Sequence, residues 1–252
     1  MISRDQPTIF NNTTLSVAIS SRVDRSMLNR LQPGDERVKQ ARRDFLYGIN
    51  ISPKNILSQW ITYGEAETYD DIYLLDATAR QQAIRVGGIR ADGIIVQGSG
   101  VGIFLPVADC IATVLYDPVR RIFGLLHMGR HSTLTSILPN AIKQFINLGT
   151  KPDDIKVWMS PHAQRNSYVL RYFTARSQPA WQGFYDEKVD SNSGETLFYI
   201  DMAGYNRQQL LNAGVNANNI QISTVDTVTS ENYFSHSAGD ILGRNGVVAY
   251  LA

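Results

Sequence analysis

Cysteine is nearly missing from this sequence: Cys110 stands alone among 252 residues. One thiol excludes an intrachain disulfide and fits a reducing compartment. Histidine is scarce as well, with four residues, His127, His131, His162 and His236. A multicopper centre needs more imidazole and thiolate ligands than four histidines and one cysteine supply. No run approaches the ~20 apolar residues of a membrane helix. The opening MISRDQPTIFNNTT has no apolar core of signal-peptide length. Neither sign of charge dominates, because 24 Lys+Arg face 23 Asp+Glu for a net charge of +1. No Lys/Arg-rich stripe interleaved with aromatics offers a nucleic-acid surface. Repeats, low-complexity tracts and linker-like stretches are absent from the sequence too. These absences lead us to expect a cytoplasmic protein without membrane or nucleic-acid partners, folded as a single domain over residues 1–252. They leave the oligomeric state open.

What is present is enough for a core: 43% of residues are hydrophobic and 19% charged, an ordinary globular balance. Residues 15–19 (LSVAI) read as a strand, followed by Ser20-Ser21-Arg22. Asp35 is placed to cap a helix over 36–47, where Val38, Ala41, Phe45 and Leu46 recur at helical spacing before Gly48. Strands are expected at 59–61 and 71–75 around a polar loop at 62–70, and a helix over 77–85 ends at Gly87-Gly88. Residues 93–96 and 102–105 read as strands joined by the turn Gln97-Gly98-Ser99-Gly100. That glycine pair is no phosphate loop, since it lacks the Lys-Ser/Thr and the following helix. Residues 133–148 carry one apolar helical face, interrupted by Pro139, which either opens the helix in its first turn or kinks it. Beyond it lie a strand at 156–159, a loop at 178–194, a helix at 200–213 and a strand at 220–224, with 233–236 and 247–251 closing the chain. Hairpin-joined strands mixed with helices indicate an α+β fold, with mixed or antiparallel sheets in a sandwich-like core flanked by helices.

The chemistry concentrates in residues 106–132, PVADCIATVLYDPVRRIFGLLHMGRHS. Two β-type runs, 111–116 and 122–127, flank Asp117-Pro118-Val119-Arg120-Arg121 and read as a hairpin. A turn centred near Val119 sets Cys110 opposite roughly Met128, and opposed Cβ atoms lie about 5 Å apart. Cys110 and His127 then share the open end of one hairpin. The pair admits three readings. Thiolate and imidazole are two ligands of a catalytic zinc. They are equally a cysteine nucleophile and its base. The third is a buried small hydrophobe beside a strand-end histidine. Asp109 next to Cys110 favours a site, because adjacent strand residues face opposite ways, although an aspartate there also anchors a loop by accepting backbone N–H bonds. A third zinc ligand would come from His131, His162, His236 or an acid. His131 lies four residues after His127, but that helical spacing loses its meaning when His127 ends a strand.

Taken together these motifs resemble the laccase-domain (polyphenol-oxidase-like) family of zinc-dependent purine nucleoside phosphorylases, many with adenosine deaminase activity. Ala108-Asp109-Cys110 is similar to the family's A-D-C, and Leu126-His127-Met128-Gly129 to its A-H-A-G. Ser20-Ser21-Arg22 resembles S-T-R, Ser160-Pro161 with Tyr168 resembles G-P…Y, and Ile200-Asp201 with Asn206 resembles D-x4-N. Phe234-Ser235-His236 and Gly243-Arg244 resemble F-F-S-[HY]-R-R…G-R. The resemblance implies zinc on Cys110 and His127, catalysis by these two with Asp109, and a purine nucleoside and phosphate as substrates. It also implies a pocket lined by Arg22, Arg130, His131, Tyr168 and His236. The family's first ligand histidine, however, is replaced in Thr62-Tyr63-Gly64, and its paired arginines in Ser237-Ala238. G-W-R-G has become Gly129-Arg130-His131-Ser132, and a late cysteine-threonine pair reads Asp226-Thr227. Two protein ligands alone hold zinc weakly, so a non-catalytic relative that binds a nucleoside or a protein, and a metal-independent Cys–His hydrolase or deamidase, stand beside the enzyme reading.

Overall fold

The computed structural model describes residues 5–28, 35–61 and 71–252. The expected loop at 62–70, and Tyr63 with it, lies outside the described residues. In chain order the elements are β1 (Leu15–Ile19), α1 (Glu36–Gly48), β2 (Ile56–Trp60), β3 (Ile72–Leu75), α2 (Ala77–Val86), β4 (Gly88–Arg90) and β5 (Gly93–Gln97). There follow β6 (Val101–Val107), β7 (Ile111–Asp117), β8 (Ile122–Met128), α3 (Arg130–Leu134), α4 (Ile137–Asn147) and β9 (Lys156–Met159). The chain closes with β10 (Val169–Leu170), β11 (Tyr185–Val189), β12 (Thr196–Ile200), α5 (Met202–Asn212), β13 (Ile220–Ile222) and β14 (Asn245–Leu251).

Among the described residues these strands form three mixed or antiparallel sheets. A five-stranded sheet runs β1-β14-β6-β2-β4, a six-stranded sheet runs β13-β9-β7-β8-β5-β3, and a three-stranded sheet runs β10-β12-β11. Every residue of β7 and β8 is buried, because both faces of the six-stranded sheet are covered; such strands read as continuous apolar runs rather than alternating ones. One face, with Val114, Tyr116, Phe123 and Leu125, packs on Leu105, Val247 and Ala249 of the five-stranded sheet. The other, with Ile111, Leu115, Ile122 and Leu126, packs on Leu138, Ile142 and Phe145 of α4. Helix α1 lays Ala41, Phe45 and Leu46 on the outer face of the five-stranded sheet, against Phe104 and Val248. The expected α+β fold, a sandwich-like core of mixed sheets flanked by helices, is what forms.

Several local expectations need correction. The two strands around residues 97–100 form as expected but do not pair with each other: β5 pairs with β8 and β3, and β6 with β14 and β2. The turn carries the chain from one sheet to the other, with Gly98 and Gly100 at positive φ (97° and 77°). The segment 178–194, expected as a loop, contains β11, and 200–213 splits into the end of β12 and α5. Residues 133–148 divide at Ser136, whose φ of 66° is left-handed, and Pro139 falls in the first turn of α4, where its missing N–H is harmless.

Candidate functional site

Two crossings between the sheets build the site. Ala91-Asp92 leads from β4 in the five-stranded sheet to β5 in the six-stranded one, and Ala108-Asp109-Cys110 leads from β6 to β7. His127 is the penultimate residue of β8. The hairpin register pairs Ile111 with Met128 and Ala112 with His127, one position away from the expected pairing, so Cys110 falls opposite Gly129. The shift comes from the turn: Asp117 pairs with Ile122, so the four-residue connection 118–121 centres between Val119 and Arg120 rather than on Val119. Asp109, at a φ of 72°, bends the chain before the strand begins; aspartate tolerates this left-handed conformation.

Gly129 is the hinge point of the pair. A Cβ there would lie 3.2 Å from Cys110 Sγ, 3.2 Å from His127 Cε1 and 3.6 Å from His127 Nε2. Thiol and imidazole therefore flank the one backbone position that carries no side chain. His127 is buried, at 4% exposure. Its Nδ1 lies 2.8 Å from Asp92 Oδ1, and its backbone N–H donates to the Asp92 carbonyl at 2.7 Å. A carboxylate facing Nδ1 assigns the proton to that nitrogen and leaves Nε2, on the Gly129 side, as the basic atom. Ser132 ties the following bend: its Oγ donates to the His127 carbonyl at 2.8 Å and accepts from the Gly129 N–H at 3.0 Å.

Asp109 does not share a strand with Cys110, so the picture of the two on opposite faces is corrected: residues 108–110 form a bend. Its carboxylate accepts from Thr227 Oγ1 and from the Ser237 N–H, each at 2.7 Å. Its carbonyl accepts from the Ala163 N–H at 3.1 Å. Asp109 thus latches the loop that carries the exposed His236. The far end of that loop holds Arg22, whose guanidinium grips the Asp240 carboxylate in two-pronged fashion. Arg22 Nε also donates to the Tyr233 carbonyl at 2.9 Å, and the group lies 4.7 Å from the Phe234 ring centroid. The Arg22 guanidinium holds the Asp240 carboxyl below the usual carboxylate range.

Tyr168 joins the site as a desolvated phenol. Burial, seconded by the Cys110 and Asp109 charges and opposed by Arg130, pushes it up to about 12. Arg130 and His131 open α3 at the rim, with Arg130 Nη2 3.4 Å from His131 Nε2. Partial burial and the Arg130 charge press the His131 imidazole below its ordinary range, against the pull of Asp92. His162 stands apart: it is buried, its Nδ1 bonds to the Ser160 carbonyl at 2.7 Å, and its Nε2 lies 3.2 Å from Gln164 Nε2. Among the described residues no three His, Cys, Asp or Glu side chains gather closely enough to hold a metal ion.

The structure therefore brings Cys110, His127, Tyr168, Arg130 and His131 into one neighbourhood, sets Asp109 behind it as a latch, and ties Arg22 to Asp240. Sequence reasoning missed Asp92, Gly129 and Ser132. The available signal for Asp92 was a carboxylate set between Ala91 and the apolar run of β5, where a buried acid requires a partner.

With this geometry in hand, comparisons with known proteins become informative. A family model described as "Multi-copper polyphenol oxidoreductase laccase" matches residues 26–252. This chain belongs to that laccase-domain family. A relative from Deinococcus radiodurans named "Purine nucleoside phosphorylase" is 30% identical over 129 residues, covering 49% of this chain and 47% of its own length. Bacillus subtilis "Purine nucleoside phosphorylase YlmD" is 26% identical over 150 residues, covering 58% and 52%. The matched stretch thus spans about half of each of these relatives. A similarly named protein of Corynebacterium glutamicum is 24% identical over 204 residues, 81% of this chain and 77% of its own. Among solved structures, YlmD from Geobacillus stearothermophilus superposes with a TM-score of 0.79 over 97% of this chain and 94% of its own, at 19% identity. Bacillus licheniformis hypothetical protein YfiH gives 0.76 over 94% and 93%, at 18% identity. These two establish the laccase-domain fold. The copper of the family description does not suit a chain with one cysteine and four histidines, whereas a thiolate beside a carboxylate-backed imidazole is a donor pair suited to zinc.

Proposed function

We propose that this laccase-domain chain is a purine nucleoside phosphorylase-like enzyme, one domain over residues 1–252, that splits adenosine- or inosine-type nucleosides at the corner between its two large sheets. The observation that carries this reading is the meeting of Cys110 and His127 around Gly129, with Asp92 behind the imidazole. The names of the relatives point to a purine nucleoside and phosphate as substrates. Cys110 and His127 are the residues that would hold zinc, and zinc so held would supply an electrophile able to bring a bound water to a pKa near ~7, the requirement for adenosine deamination.

The chain's own residues do the rest. Asp92 keeps the proton of His127 on Nδ1, so that Nε2 faces the reacting side. Arg130 and His131 at the rim hold the anionic or hydroxyl groups of phosphate and ribose, the electrostatic preorganisation on which such a reaction depends. Tyr168 stays a neutral phenol at physiological pH and serves as a hydrogen-bond donor to substrate. His236 contacts substrate from the loop latched by Asp109, and Arg22 braces the same loop through Asp240.

The test is base release from inosine and adenosine, measured with and without inorganic phosphate, on protein whose zinc content is determined. Phosphate-dependent release of hypoxanthine or adenine with zinc bound supports the reading; metal-free protein without turnover sinks it. A second reading has its own support, because Cys110, His127 and Asp92 form a nucleophile, base and orienter in series. A metal-independent Cys–His hydrolase predicts rapid labelling of Cys110 by iodoacetamide at neutral pH and turnover that survives chelation. If neither activity is found while a nucleoside still binds, the non-catalytic relative is the correct description.

A further inference from the structure

Along β2 the layer between the two large sheets is apolar, with Leu57 packed in the same cluster as Ile94 and Leu125. Two residues further, on the same face of β2, stands Gln59, 1% exposed. Strand β2 lies between β6 and β4, the two strands from which the chain leaves for the second sheet at Cys110 and at Asp92. The Gln59 amide nitrogen reaches the second of these crossings. It donates to the Ala91 carbonyl at 3.1 Å and to the Asp92 carbonyl at 2.8 Å. The Asp92 carbonyl is the same atom that accepts the His127 backbone N–H at 2.7 Å, and the Asp92 carboxylate is the one that faces His127 Nδ1.

The other half of the amide shows what this arrangement is not for. Gln59 Oε1 is buried and, among the described residues, no donor reaches it. The amide has no freedom to correct this, because turning it over would set Oε1 against two carbonyl oxygens. A buried acceptor without a donor lowers stability, and an apolar side chain of similar length would avoid the loss. A residue that carries such a liability beside the site is explained by what its NH2 group holds, which is the Asp92 peptide.

We propose that Gln59 is a positioning residue of the Cys110–His127 site: acting through the Asp92 peptide, it fixes the orientation and tautomer in which His127 is presented to Cys110. It does so from the five-stranded sheet, at the crossing that starts from its neighbour β4. Only the kinetic arm of the test below rests on the nucleoside reading.

The test compares Gln59→Met, similar in length but without donors, with Leu57→Ala, a core truncation on the same face of the same strand. The metal-free full chain is labelled with 15N at its four histidines, and the imidazole resonances are assigned with His127→Gln. The expected wild-type pattern has the His127 proton on Nδ1. Gln59→Met is expected to add a second component with the proton on Nε2, at a melting temperature equal to or above that of the parent. Leu57→Ala is expected to melt lower and keep the wild-type His127 pattern. With inosine and phosphate, Gln59→Met is expected to lose roughly 10- to 100-fold in kcat with little change in KM, the penalty of a slightly misplaced group. An unchanged His127 pattern in Gln59→Met overturns the proposal, as does the same change in Leu57→Ala. A Gln59→Met chain that fails to fold overturns it in favour of a purely structural role. If the His127 pattern shifts as expected while the parent protein never turns over a nucleoside, the positioning stands and the nucleoside reading falls.

Discussion

Asp92 holds His127 twice, by its carbonyl to the histidine backbone N–H at 2.7 Å and by its carboxylate to Nδ1 at 2.8 Å. One residue on the crossing between the sheets thereby fixes both the strand end and the ring of the buried histidine. Orienting partners of this kind are worth 10- to 100-fold in metal affinity or activity. Asp92→Asn keeps the volume but allows the ring to choose its tautomer. It is expected to lower turnover by roughly 10- to 100-fold and stability by about 1–3 kcal/mol, read from steady-state rates and denaturant melts of the same preparation.

Gly129 is required by crowding rather than by backbone angle, since its φ of −89° is open to any residue. Gly129→Ala sets a methyl group 3.2 Å from both Cys110 Sγ and His127 Cε1. The expected outcome is a folded protein, destabilised by roughly 1–3 kcal/mol, whose thiol and imidazole are pushed apart. Loss of metal uptake or turnover, with melting temperature reduced by a few degrees, is the result to look for. Unaltered metal uptake and rate would mean that the two groups do not act together.

Asp109→Ala removes the acceptor for both Thr227 Oγ1 and the Ser237 N–H. Hydrogen exchange should rise across residues 235–240, while the strands β7 and β8 stay protected. Stability is expected to fall by about 1–2 kcal/mol, the scale of losing one half-buried and one exposed hydrogen bond to a charged acceptor. A catalytic role confined to Asp109 itself predicts the opposite pattern, lost turnover without any change in loop exchange.

His162 gives a pH dependence whose sign follows from burial. Burial presses its imidazole below the ordinary value of 6.5, opposed by the Ser160 carbonyl and by Asp201 and Asp226. The unfolded chain therefore takes up a proton as pH falls through about 6.5, and the folded chain takes it up only at lower pH. Stability declines across that window. His162→Gln should flatten this part of the melting-temperature profile between pH 7 and 5 without altering the Cys110–His127 pair, checked by thermal melts in matched buffers.

How far the sequence could be read depends on the range of the interactions. The Cys110–His127 hairpin was legible because its two apolar runs and its Asp-Pro turn are local. The register slipped by one because the connection has four residues, 118–121, and so centres between Val119 and Arg120, a detail that the apolar runs on either side do not reveal. The turn at residues 97–100 was legible because glycines mark any tight turn; the pairing of the strands on either side was not, because it depends on other segments of the chain. Asp92 and Gln59 were invisible for a related reason: their partners are 35 and 33 residues away, on another strand or crossing. Arg22 was readable as a cation near the site, but its grip on Asp240, 218 residues away, was not.

The most direct measurement is a double-mutant comparison of Cys110→Ser, His127→Gln and the combined variant, following hypoxanthine release from inosine in the presence of phosphate. If thiol and imidazole work as one site, each single substitution abolishes most of the turnover, and the double variant loses little more than either alone, as for residues that act as a unit. Turnover that survives both substitutions, or losses that simply multiply, would contradict a shared Cys110–His127 centre.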